Sequence, residues 1–132
     1  MNASRPTPSK IKIFLIDDHD LMRTSLTQLI DGEPDLIVCG TADGGSDTIR
    51  AIDTCRPDLV VMDTSLQGGQ GMKLLEKLKT CWPERPVLVL SLHDNATYVA
   101  RVMEAGASRH ISKNSPGDVI VQCIRAIRPS RS

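Results

Sequence analysis

IKIFLI at residues 11–16 runs without a break into DDHDL at 17–21, so an apolar run of strand length ends in two adjacent aspartates, a histidine and a third aspartate. A continuous run of this kind fits a strand covered on both faces, as in a parallel sheet, rather than the alternation of a half-solvated strand. LIVCG (36–40), LVVM (59–62) and VLVLSL (87–92) share its character. A fifth run, RHIS (109–112), is more polar, as suits an edge strand.

Between these runs lie helical patterns with recognisable ends. Met22, Leu26, Leu29 and Ile30 recur at helical spacing, and Gly32 follows as a C-terminal cap. Thr48 to Cys55 makes a second helix, stopped by Pro57, and Met72, Leu74, Leu75 and Leu78 make a third, after a glycine-rich loop. Asp94 or Asn95 caps a fourth that carries Val99, Val102 and Met103 and closes at Gly106. Ser115 as N-cap and Pro116 as first helical residue open a fifth, with Val119, Ile120, Cys123, Ile124 and Ile127 on its apolar face. The order is strand then helix, five times over. Right-handed crossovers turn that order into an α/β fold, a doubly wound five-stranded parallel sheet with helices on both faces. Residues 10–128 are expected to form this one domain. A flexible polar arm (1–9) precedes it, and 129–132 read as the start of a linker or a truncation scar.

The chain has 132 residues, enough for one domain with a real core, and a formal net charge of zero, which offers no basic field for nucleic acid. No apolar run approaches the length of a membrane span, and no signal-peptide pattern opens the chain, so a soluble, cytoplasmic protein is expected. Cys39, Cys55, Cys81 and Cys123 form no CxxC pair and lie in apolar segments, as reduced, buried small hydrophobes would. Phe14, Trp82 and Tyr98 are the only aromatic residues of their kinds, too few for a site that sandwiches a flavin or a nucleobase.

In a doubly wound sheet the carboxyl ends of the strands share one edge, where ligands bind. Strand one ends at Asp17 and Asp18, strand three at Asp63, strand four at Ser91, and Lys113 follows strand five. An aspartate at a strand end is, alone, commonly a turn or cap residue. Three carboxylates, a hydroxyl and an ammonium gathered on one edge are harder to read that way. Three carboxylates in one pocket need a cation, and hard oxygen ligands suit Mg²⁺ with phosphate as a co-ligand. A lysine and a hydroxyl suit a phosphoryl group in transfer. On this chemistry Asp63, alone at the end of a central strand, is the nucleophile that forms an aspartyl phosphate, and Asp17 and Asp18 hold the metal.

The fragments IDDHDLMRTSLTQLI (16–30), PDLVVMDTSLQGGQGMKLL (57–75) and VLSLHDNATYVARVMEAGASRHISK (89–113) resemble the receiver domain of bacterial two-component response regulators. This likeness spans about Lys10 to Ile127, and the finer match is to the subfamily with a LuxR-type helix-turn-helix output. The resemblance implies a flavodoxin-like sheet of order 2-1-3-4-5, with Asp63 as phosphoacceptor. It implies that Asp18 and Asp63 ligate Mg²⁺ directly, Asp17 through a water, and Ser65 by its backbone carbonyl. It makes Ser91 and Lys113 the phosphoryl-binding pair, with Ser91 reporting phosphorylation by moving. Its partners would be a sensor histidine kinase, a second copy in a phosphorylation-dependent homodimer, and DNA only through a C-terminal domain beyond this chain; no membrane is implied. Such a domain is no enzyme toward other substrates and catalyses only its own phosphoryl transfer and dephosphorylation.

Three positions depart from the family pattern. His110 stands at the switch position, three before Lys113, where a tyrosine or phenylalanine usually turns inward. Gln67 replaces a proline in a loop with Gly68, Gly69 and Gly71, which should make that loop mobile. Asp20 replaces another proline and either caps the first helix or adds charge near the metal. His19 and His93 lie near the pocket, and His93 falls where the family tunes its dephosphorylation rate. Two alternatives stand beside this reading. One is a pseudo-receiver that binds partners without phosphate. The other is a haloacid-dehalogenase-type phosphohydrolase, whose D-x-D motif Asp18-His19-Asp20 matches formally, although only Asp118 could supply its late acidic pair. Nucleotide binding finds no support, since GGSDTI lacks a P-loop lysine.

Overall fold

The computed structural model describes residues 10–66 and 69–127, which form five strands and five helices in strict alternation. The strands are β1 (Ile11–Ile16), β2 (Leu36–Ala42), β3 (Leu59–Asp63), β4 (Val87–Ser91) and β5 (Arg109–Ser112). The helices are α1 (Asp20–Asp31), α2 (Thr48–Cys55), α3 (Gln70–Cys81), α4 (Ala96–Glu104) and α5 (Gly117–Ile127). All strand pairs are parallel, in the order β2-β1-β3-β4-β5. The expected arm, the linker or scar and the loop positions Gln67 and Gly68 lie outside the described residues.

The continuous apolar runs are explained by two cores, one on each face of the sheet. Ile13 and Leu15 of β1, Leu59 and Val61 of β3, and Leu88 and Leu90 of β4 pack against α1 and α5. Their alternates Phe14, Ile16, Val60, Met62, Val87 and Val89 pack against Ile52 of α2, Leu75 and Leu78 of α3, and Val102 of α4. Successive side chains of a strand point to opposite faces, so a strand covered on both is apolar at nearly every position; half-buried Lys12 of β1 instead donates its Nζ to the Cys55 carbonyl. β3 and β4 are buried along their whole lengths, up to and including the polar residues Asp63 and Ser91 that end them.

Local chemistry sets the helix ends. Asn95 is the cap of α4 and accepts a 2.9 Å bond from the Tyr98 N–H. Gly106 follows α4 at φ 113°, a conformation that suits glycine. Gly32 sits at the C-cap of α1 in right-handed geometry, φ −70°, so glycine is not needed there for its conformational freedom. Arg56 ends α2 at φ 51°, because Pro57 crowds the right-handed helical region of the residue before it. α5 begins one residue later than the Ser-Pro signal suggests: the Pro116 carbonyl is its first acceptor, taking the Ile120 N–H at 3.2 Å. The cysteines differ from expectation. Cys123 is buried, Cys39 and Cys55 are half-buried and Cys81 is exposed at the end of α3.

Candidate functional site

The register places the chemistry. Ile16 pairs with Met62 across β1 and β3, so Asp17 follows on one strand as Asp63 does on the other. Asp63 pairs with Leu90, one residue before Ser91, and Ser91 pairs with Ser112, one residue before Lys113. Four strands thus deliver their last polar residues to one edge. Asp17, Asp63 and Ser91 are 2%, 1% and 0% exposed.

Two nearly buried carboxylates this close need a cation between them, and Lys113 supplies one. Its Nζ lies 2.7 Å from Asp63 Oδ2 and 3.0 Å from Asp17 Oδ2. Burial alone would lower the lysine pKa. Hydrogen bonds to Asp63 and then Asp17 outweigh it, and the pKa rises above the ordinary lysine value. The remaining carboxylate oxygens are also held: the Ser65 N–H donates to Asp63 Oδ1 at 2.8 Å and the His19 N–H to Asp17 Oδ1 at 2.9 Å. The Arg23 guanidinium donates to the Asp17 carbonyl at 2.5 Å, tying α1 to the end of β1.

Asp17, Asp18, His19 and Asp63 each offer one ligand atom, all within 4.8 Å of one another. Three carboxylate oxygens among four donors make a hard set that fits Mg²⁺, which tolerates few protein ligands and keeps waters. The His19 ring is mostly exposed, with Nδ1 3.1 Å from Asp17 Oδ1 and 3.1 Å from Asp18 Oδ1, closer to the acids than the sequence suggested. Asp20 is different. It is the first residue of α1 and not its cap, and its exposed carboxylate pairs with Arg23. That placement removes the second acid of the D-x-D alternative from the pocket.

Ser91 completes the site. Its Oγ accepts the His93 N–H at 3.0 Å and stands 3.3 Å from the Ser65 hydroxyl. The other two expected residues are not with it. The His93 ring is exposed and lies 5.3 Å, centroid to centroid, from Tyr98 of α4. His110 on β5 also meets Tyr98, edge-on at 6.2 Å. The Tyr98 hydroxyl hydrogen-bonds the Thr64 hydroxyl, next in the chain to Asp63. Beside them a cavity of about 700 Å³ opens, lined among others by Thr64, Ser65, Met72, His93, Tyr98 and Arg101. Sequence reasoning passed over Thr64 and Tyr98. The one signal was a lone tyrosine in the first turn of a helix that follows a site residue.

Residues 13–125 match the family described as the response regulator receiver domain. The chain is similar to the response regulator GacA of Pseudomonas aeruginosa, 33% identical over 117 residues that cover 89% of this chain and 55% of that protein. It is 29% identical over 119 residues to the transcriptional regulatory protein DegU of Brevibacillus brevis, covering 90% of this chain and 50% of that one. It therefore spans about half the length of these relatives. Among solved structures it is similar to a two-component response regulator of the LuxR family from Aurantimonas sp. SI85-9A1, with a TM-score of 0.84 and 30% identity over 90% of this chain and 85% of that one. It also resembles the receiver domain of the putative response regulator NarL from Mycobacterium tuberculosis, with a TM-score of 0.82 and 25% identity over 90% and 96% of the two chains.

Proposed function

The chain belongs to the response regulator receiver family, and from that premise we propose that Asp63 accepts a phosphoryl group from a histidine kinase in a Mg²⁺-dependent reaction. The observation that carries the proposal is the Lys113 ammonium held between Asp63 and Asp17 with Asp18 beside them. Asp18 and Asp63 would hold the metal through their carboxylates, with Asp17 acting through a bound water and Ser65 through its backbone carbonyl. When bound, Mg²⁺ neutralises charge on the phosphoryl oxygens. One Asp63 oxygen forms the new P–O bond as the P–N bond to the donor histidine breaks. Lys113 moves its contact from the carboxylate to a phosphoryl oxygen, and the Ser91 hydroxyl turns to another. His93, two residues beyond Ser91 and held to its hydroxyl through the backbone N–H, stands at the position that tunes the later hydrolysis of the acyl phosphate. The domain acts on no further substrate.

In the full protein the same reading gives a cytoplasmic regulator whose receiver controls a LuxR-type DNA-binding domain, with phosphorylation favouring a homodimer. Among the described residues no helix is long and apolar enough to cross a membrane. The test is incubation with acetyl phosphate and Mg²⁺, followed by intact mass. A phosphoryl adduct is expected on the wild type and none on Asp63→Asn. A wild type that stays unmodified, or an Asp63→Asn variant that gains the adduct, overturns the proposal. The first result would favour a phosphate-independent interaction module.

A further inference from the structure

Tyr98 touches three segments that carry site residues or adjoin them. Its hydroxyl bonds Thr64, the residue after Asp63. Its ring meets His93, whose N–H is held by the Ser91 hydroxyl. It also meets His110 of β5, whose Nε2 is buried and has no hydrogen-bond partner among the described residues. Tyr98 itself lies in the first turn of α4, and of that helix only Val102 is fully buried, against four buried residues in each of α3 and α5. An element with so little buried apolar surface is readily displaced, and a single side-chain bond is a large part of what fixes it. A buried polar atom without a partner is costly, so an arrangement that satisfies it competes well with one that does not.

We propose that Tyr98 is a two-position latch: its hydroxyl rests on Thr64 in the unphosphorylated protein and moves to His110 Nε2 when Asp63 is phosphorylated. The inference rests on phosphorylation at Asp63. As the Ser91 hydroxyl turns to the phosphoryl group, the His93 N–H loses its acceptor and the His93 ring leaves Tyr98. The phenol then exchanges one partner for another, and α4 follows it. No bond is made or broken beyond the hydrogen bonds, and no net proton is moved. The histidine at the family's aromatic switch position thereby gains a role without turning inward, as the second docking point of a ring carried by α4.

Tyr98 is the only tyrosine in the chain, so protein labelled with 3-fluorotyrosine gives one ¹⁹F resonance. Acetyl phosphate with Mg²⁺ should shift that resonance in the sample whose mass shows the adduct, and leave it in place in Asp63→Asn. His110→Phe keeps the ring and removes the acceptor, so it should gain the adduct yet lose the shift. Thr64→Val should move the resting resonance toward the phosphorylated position before any phosphodonor is added. An adduct without a shift, or a full shift in His110→Phe, overturns the latch and leaves the phosphoacceptor reading intact. No adduct on the wild type sinks the phosphoacceptor reading first, and the latch with it.

Discussion

Lys113 Nζ stands within 3.0 Å of Asp17 and 2.7 Å of Asp63, so one ammonium holds together carboxylates that arrive from β1 and β3. The ion pairs join β5 to the centre of the sheet across β4. They also offset the charge that DDHDL places at the end of a buried strand. Repulsion among the acids is relieved by a lysine from far along the chain, and Asp18, with its side chain 20% exposed, is left at the mouth where a divalent cation can reach it.

Removing that ammonium should be costly. Lys113→Met leaves two nearly buried carboxylates without their cation, and breaking such a pair from one side costs about 3 kcal/mol or more. Urea melts of the metal-free proteins should show this loss. Mg²⁺ should recover part of it, because a cation again sits among the acids. A variant as stable as the wild type without metal would mean that the carboxylates are hydrated and the lysine is not what holds them.

Asp18 and Asp20 should separate cleanly in metal binding. Calorimetric titration with Mg²⁺ should find Asp18→Asn unable to bind in the range where the wild type does. Asp20→Asn should bind within about twofold of the wild type, because an exposed charge paired to Arg23 is screened by water and salt. A tenfold loss in Asp20→Asn would mean that its charge does weigh on the bound cation.

The strands were legible because burial on both faces leaves no room for polar alternation, and IKIFLI and RHIS carry the same limits in sequence and structure. Asp17, Asp18, Asp63, Ser91 and Lys113 were legible because a parallel sheet sends all its strand ends to one edge. What stayed hidden depends on side-chain packing between elements distant in sequence. Nothing in ATYVARVME says that its tyrosine will find the hydroxyl beside Asp63. Nothing in TCWPE says that Cys81 faces water, since the cysteine adjoins Trp82 and an apolar helix face. Gly71 looked like one more residue of a loose loop. It is instead buried in the first turn of α3.

The thiols should react in the order of their exposure. Cys81 should be alkylated first and Cys123 only on unfolding. Cys39 is held back further. Burial, then the neighbouring Cys55 thiol, push its pKa up to about 11 from 9.0. The unfolded chain releases this proton near pH 9 and the folded chain keeps it to about 11. The associated stability is therefore complete below pH 9 and lost as pH rises through that window. Thiolate absorbance near 240 nm should show a late-titrating group that is missing in Cys39→Ala.

Gly71→Ala tests how closely α3 seats on the site. A Cβ at Gly71 would lie 2.2 Å from the Thr64 carbonyl oxygen and 2.5 Å from the Thr64 Cα, atoms of the backbone that cannot swing aside. The substitution must therefore push α3 away from the loop that carries Asp63, Thr64 and Ser65. Overpacking of this severity should cost about 3 kcal/mol or more. Gly69 provides the contrast. Its φ of 72° disfavours a side chain, but no atom of the described residues lies within 4 Å of the place a Cβ would take, so Gly69→Ala should cost only about 1–2 kcal/mol of backbone strain. Urea melts should rank the two in that order. Phosphorylation by acetyl phosphate should also slow in Gly71→Ala, because the Ser65 N–H that holds Asp63 Oδ1 moves with the displaced loop. Equal melts would mean that α3 can slide outward at no cost, and its contact with Thr64 would then have no part in positioning Asp63.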